Sequence, residues 1–194
     1  RSIKYFAQLG MHRCGTNIDT KTKNWIKKRF EKYGLEVSEE PFTFRRPISR
    51  TAMISMKVDR INSRILPGMP LLNAVPTGER SISGQLGFLG QYGKIPVIHL
   101  YVTATSGTTQ VRAKSLRQFK AALASGRYRA VVGITQGGYS GLVPLNIDLS
   151  RRYKTPAMLL SSTIGNYAEI YAEINNPIRF KTQIAYEEST GYNI

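Results

Sequence analysis

The chain has 194 residues, 41% hydrophobic and 21% charged, values that exclude wholesale disorder and a collagen-like repeat. Lys and Arg total 28 against 12 Asp and Glu, a formal net charge of +16, so acidic partners are expected: nucleic acid, an anionic membrane surface, or an acidic second domain. One cysteine excludes an intramolecular disulfide framework, two histidines are few for a metalloenzyme, and no apolar run nears the roughly 20 residues of a membrane-spanning helix.

In chain order, Ile3, Phe6 and Leu9 predict a short helix over 1–10 that stops at Gly10. The opening on Arg1, with neither an initiator Met nor a leader, leads us to expect a processed form. After a polar turn, Asp19 or Thr20 is expected to cap a second helix. Its apolar stripe is Trp25, Ile26, Phe30 and Tyr33, its other face is lysine-rich, and Gly34 ends it. Leu35–Phe44 reads as a strand. From Thr51 short strands separated by Gly and Pro take over: Ala52–Val58, Ile82–Leu89, Ile95–Val102, Arg129–Thr135, Ala157–Leu160 and Ile178–Ala185. Pro67–Gly78 reads as a loop, and helices are predicted over Val111–Ser125 and Ile164–Ile174. The order gives an α+β fold, rich in β.

Several constellations invite chemistry. Gly84, Gly87, Gly90 and Gly93 recur every three residues but lead into another strand, so they read as strand and turn glycines and not as a phosphate cradle at a helix N-terminus. Gln136–Gly141 follows a strand, yet Leu142 stands where a nucleophile elbow needs its last glycine, so it reads as a surface loop able to touch a ligand. Cys14 has His12 two residues away but no evident second base or activating helix terminus, which favours an incidental thiol. Basic clusters such as Lys27–Arg29 and Arg151–Lys154 alternate with aromatics, but no RNP, GXXG or zinc-finger pattern accompanies them.

Two stretches together carry a family resemblance. The first is Leu9–Phe44: LGMHRCGT, the helix with Trp25-Ile26, then Tyr33-Gly34-Leu35-Glu36-Val37 and Pro41-Phe42-Thr43-Phe44. It resembles the opening of the co-catalytic di-zinc exopeptidases, the aminopeptidase and glutamate-carboxypeptidase-like enzymes, with Arg13, Gly15 and Thr16 on an R-x-G-T turn. The second, about Asp59–Ile174, resembles the protease-associated (PA) domain inserted into those enzymes. It carries Gly84-Gln85-Leu86, Gly93–Ile98, Ala130–Ile134 and Thr155–Ser161 in the typical order. Tyr192-Asn193-Ile194 resembles the start of the first long catalytic strand.

The resemblance implies an N-terminal segment of an α/β catalytic domain (1–58), a β-rich PA domain with two helices (59–176) and a return strand (177–194). The zinc ligands would follow Ile194; Glu39-Glu40 and Glu187-Glu188 stand in the wrong context. It therefore implies no catalytic residue, metal ligand or cofactor in this chain, zinc belonging to the parent enzyme. The PA region would serve as lid, substrate-access element or interaction surface, in a secreted or periplasmic protein. Expected partners are a peptide or protein substrate, the catalytic domain, and a second copy through the Trp25 stripe, but not nucleic acid. His12, Arg13, Gln136 and Tyr139 are the candidates for substrate or partner contact. The alternatives are an independent basic module binding nucleic acid or another polyanion, and a small hydrolase built on Ser140 or Cys14.

Overall fold

Two helices open the chain, α1 (Ser2–Gln8) and α2 (Asn17–Lys32). The α2 cap is Thr16, upstream of the two residues the sequence suggests. Its hydroxyl accepts from the Asp19 N–H at 3.2 Å, while the Asp19 carboxylate reaches back to accept from the Gly15 N–H at 2.9 Å. One bond satisfies an amide that the first turn leaves unpaired and the other ties down the residue before the cap, which makes this the stronger start. At the other end Gly34 takes φ +79, and the Leu35 N–H turns back to the Phe30 carbonyl at 3.1 Å.

The computed structural model describes residues 2–10, 13–58, 62–105, 108–137 and 151–194. After α2 come β1 (Glu40–Lys57), β2 (Ser63–Pro67), β3 (Met69–Pro70), β4 (Ile82–Phe88), β5 (Ile95–Thr105) and β6 (Thr108–Val111). Then follow α3 (Ala113–Ala124), β7 (Val131–Gly137), β8 (Ala157–Ser161), α4 (Ser162–Glu173) and β9 (Pro177–Asn193). The fold is α+β and β-rich, with the strands ordered β2-β1-β9-β4-β5-β7-β8-β3 and β6 paired to β5. The β4, β5, β7 and β8 strands are mutually parallel; β2 on β1, and β4 on β9, are antiparallel. Among the described residues no helix is long and apolar enough to cross a membrane.

Several strand expectations need correction: β2 and β6 were not expected, and β9 continues to Asn193 instead of ending at Ala185, so Tyr192 and Asn193 do not begin a separate strand. Residues 35–39 are not strand, and β1 runs unbroken through Pro47 where we expected two pieces. The β2 ladder reaches only Met53–Lys57, so at Pro47 one edge of β1 is open and a missing N–H can be accommodated. The predicted loop Pro67–Gly78 contains β3, which pairs with β8, and buries Leu71 and Ala74.

The chain divides into two units, residues 1–48 with 186–194, and residues 49–185. In the first unit, Tyr5 and Phe6 of α1 pack on Trp25 with ring centroids 5.5 and 6.4 Å away. Only Thr22 of α2 is buried; Phe30 is 42% and Tyr33 70% exposed. The predicted stripe is thus covered by α1 at one end and open at the other. In the second unit the parallel strands are apolar on both faces, as strands sandwiched by helices must be. Val97, Ile134, Met158 and Leu160 face α4, and Ile98, Leu100, Val131 and Leu159 face α3. Both helices sit close. A Cβ on Gly165 of α4 would lie 2.3 Å from Ile134 Cγ2, and one on Gly133 would meet Leu100 at 2.7 Å and Phe119 of α3 at 3.0 Å.

Candidate functional site

In parallel sheets the carboxyl ends of the strands are where side chains and helix starts converge on a ligand. Here β5, β7 and β8 end together, with Tyr101 opposite Gln136 and Thr135 opposite Ser161. The Thr135 hydroxyl donates to the Leu160 carbonyl at 3.1 Å, and Ser161 caps α4 by accepting from the Ile164 N–H. Ser161 and Thr135 are therefore committed to the scaffold.

Strand alternation sends Ile98 and Leu100 toward α3 and His99 and Tyr101 to the other face. There His99 Nε2 pairs with the Glu169 carboxylate of α4, both side chains partly buried. The Tyr101 ring stacks on the imidazole, centroids 6.0 Å apart at 23°, and Arg112 lies 5.4 Å from the tyrosine ring on its own account. His99 Nδ1 is buried and meets no hydrogen-bond partner among the described residues. The group is a His–carboxylate pair with an exposed aromatic and an arginine beside it. It can orient a polar ligand, and among the described residues the side-chain partner of His99 Nε2 is a carboxylate, not the hydroxyl or thiol of a nucleophile–base contact.

Of the four residues singled out from the sequence, Gln136 lies on this edge, half-buried, in register with Tyr101. Arg13 is exposed in the turn before α2, in the other unit, where its carbonyl accepts from the Thr16 hydroxyl at 2.7 Å. His12 and Tyr139, like Ser140, lie outside the described residues. His99, Tyr101 and Glu169 were not found from sequence. His99 reads there as one residue of an apolar strand, and nothing local links it to a glutamate 70 positions on.

The other reactive groups are engaged structurally. The Cys14 thiol is held above its ordinary pKa, first by desolvation and then by the charge and hydrogen bond of Asp19, which disfavours the thiolate a nucleophile needs. Glu39 pairs with Lys23 and, at 2.9 Å, with Lys27. The hydrogen bond from Lys23, then that from Lys27, holds its carboxyl below the usual range, and the bond to Glu39 raises Lys27. Glu187 pairs with Arg46 at 3.2 Å and Glu188 with Arg45 at 3.7 Å. Among the described residues no three His, Cys, Asp or Glu side chains cluster as a metal site requires. A groove of about 460 Å³ over β1, β9 and β4, lined by Ser55, Lys57, Ser83, Asn176 and Arg179 among others, has cationic side chains but no carboxylate, imidazole or thiol among the described residues that line it.

No family model matches the sequence, and no curated protein does. Solved structures share the fold. An aminopeptidase from Aneurinibacillus sp. strain AM-1 matches with a TM-score of 0.58 and 15% identity, over 98% of this chain and 45% of that one. For BSAP, a zinc aminopeptidase from Bacillus subtilis, the values are 0.59 and 18%, over 95% and 42%. For a peptidase M28 precursor from Shewanella amazonensis SB2B they are 0.59 and 14%, over 96% and 47%. The likeness at these identities is one of fold, and this chain spans less than half the length of each of these proteins.

Proposed function

We propose that the chain is the non-catalytic, PA-containing region of a zinc exopeptidase, and that it acts as a lid, substrate-access element or interaction surface. The observation that carries this reading is the placement of β1 and β9. They bracket the second unit in sequence and lie side by side in the sheet, and Asn176 Nδ2, just before β9, donates to the Lys57 carbonyl at 3.1 Å. An inserted domain must leave and re-enter its host at neighbouring points, and adjacent flanking strands support that reading. The fold likeness, which takes in nearly all of this chain and under half of each aminopeptidase, supports the same reading.

The residues present do not fit a di-zinc centre. Asp19 is bound into the helix cap, Glu39 is held between two lysines, and His99 is paired to Glu169 with no third donor grouped beside them among the described residues. We therefore assign zinc and hydrolysis to a catalytic domain outside this chain, and peptide contact to the carboxyl edge around Gln136 and Tyr101. His12, Arg13 and Tyr139 are proposed as further contacts, and a secreted or periplasmic location goes with the reading. The test is the coding sequence beyond Ile194. An H-x-D motif followed by an Asp, an adjacent Glu pair and a final His supports the assignment, and an open reading frame without them rejects it.

A further inference from the structure

At the opposite end of the parallel strands, away from the His99 edge, the loop between β4 and β5 folds over the C-terminal half of α3. The Gly90 N–H donates to the Tyr128 hydroxyl at 2.9 Å, and the Tyr92 ring stacks on Tyr128 with centroids 5.6 Å apart. Arg127 donates to the Tyr92 hydroxyl at 3.0 Å and lies 5.2 Å from its ring. Between loop and helix is a groove of about 320 Å³. Ala121, Ala122 and Leu89 supply apolar lining, and Gln118 and Arg127 supply polar lining. Leu89 is exposed and Tyr92 is 61% exposed, although the loop is anchored.

The one charged side chain that lines this groove is Arg127, and the chain segment that builds it is basic throughout. From Ser81 to Ile147 the sequence contains no Asp or Glu, while Lys and Arg recur along it. Lys114 and Arg117 are exposed on α3, one to two turns from the groove, and Arg127 and Arg129 are exposed beyond its end. An open, largely apolar groove of this size, near the lower end of the ligand-pocket range of about 300–1,000 Å³, takes a single side chain rather than a folded surface. Arg127 in the lining, with Lys114, Arg117 and Arg129 exposed on the same basic segment, disfavours other basic chains and attracts acidic ones. A single-stranded nucleic acid would instead want open aromatic platforms for successive bases. The exposed ring here is already stacked on Tyr128 and hydrogen-bonded to Arg127.

We propose that this groove docks an acidic polypeptide segment that inserts one large apolar side chain between Leu89 and Ala121, while its carboxylates face Arg117 and Arg127. The inference goes beyond the exopeptidase reading and needs no catalytic domain, so either can fail without the other. The test is fluorescence anisotropy of the 194-residue chain with a fluorescein-labelled peptide carrying one Phe in a run of Asp and Glu. Saturable binding is expected, weakened about tenfold when the Phe is replaced by Ser. Ala121→Trp, which fills the groove from an exposed helix position, and Arg127→Glu should each weaken it by about the same factor. Lys21→Glu, on α2 in the other unit, should leave it nearly unchanged. Thermal melts establish that the variants fold, and Gln118→Glu in the lining replaces Ala121→Trp if that variant melts early. Equal binding of the Phe and Ser peptides, of a thymidine oligonucleotide and of anionic vesicles, indifferent to the groove variants, would reduce the site to a diffuse polyanion surface and overturn the proposal. Failure of both peptides to bind would overturn it as well.

Discussion

His99 and Glu169 meet side chain to side chain across the packing layer between β5 and α4, the one on a parallel strand and the other on the helix that covers it. Neighbouring contacts in that layer are largely apolar. A charge-assisted pair placed there fixes the rotation of α4 about its axis more sharply than methyl groups can, and it sets the imidazole against Tyr101.

The pair should show up as a coupling. His99→Gln and Glu169→Gln are each expected to cost about 1–2 kcal/mol, since both groups retain some solvent. The double variant should cost little more than either single one. Urea unfolding of the four proteins measures this, and strictly additive losses would mean that the two side chains act independently.

Gly165 makes a prediction about packing. A methyl group at this position would sit 2.3 Å from Ile134 Cγ2, so Gly165→Ala should destabilise by about 1–3 kcal/mol despite the higher helix propensity of alanine. Ile134→Val removes the terminal methyl but keeps Cγ2, so it should relieve only part of that loss. Denaturant midpoints of the two singles and the double settle the order.

How much of this could be read from sequence depends on how local each cause is. Ala157–Leu160 was legible because burial on both faces writes a continuous apolar run, and Ile95–Val102 because apolar residues dominate it on either side of His99. The α3 and α4 helices were legible from their stripes and from Gly126, which takes φ +65 just past α3. The short strands β2, β3 and β6 were not, because they are held by partners and not by their own propensity: Met69 by Leu159, Val111 by Val102. At the site, Gln136 was reachable as a loop-edge residue. Glu169 was not, since an exposed-looking glutamate on a helix gains its meaning only from the strand beneath it.

Acid should loosen the start of the chain later than an ordinary glutamate would allow. Glu39 is held below the usual carboxyl range by Lys23 and Lys27, so its contribution is present above that range and is lost as pH falls through the depressed folded value. Lys27 is raised, so its share is present below the ordinary lysine range and disappears as pH climbs through the elevated value. Trp25, the single tryptophan, lies on α2 two residues in sequence from each of these lysines, and its emission reports loosening of the helix. The acid step should vanish in Glu39→Gln.

Thiol chemistry should be slow. With desolvation and Asp19 both raising the Cys14 pKa, iodoacetamide at pH 7 should label it more slowly than a free cysteine peptide. Asp19→Asn, which keeps a side-chain acceptor for the Gly15 amide but removes the charge, should speed the reaction. Labelling faster than the peptide would revive a nucleophilic role for Cys14.

The account stands most directly on metal content, because the proposed parent chemistry needs a zinc pair that this chain is not expected to hold. The measurement is zinc per chain by elemental analysis, after equilibration with excess zinc and exhaustive dialysis. The account predicts a value well below one. One or two zinc ions retained per chain would contradict it, placing a metal centre within these 194 residues.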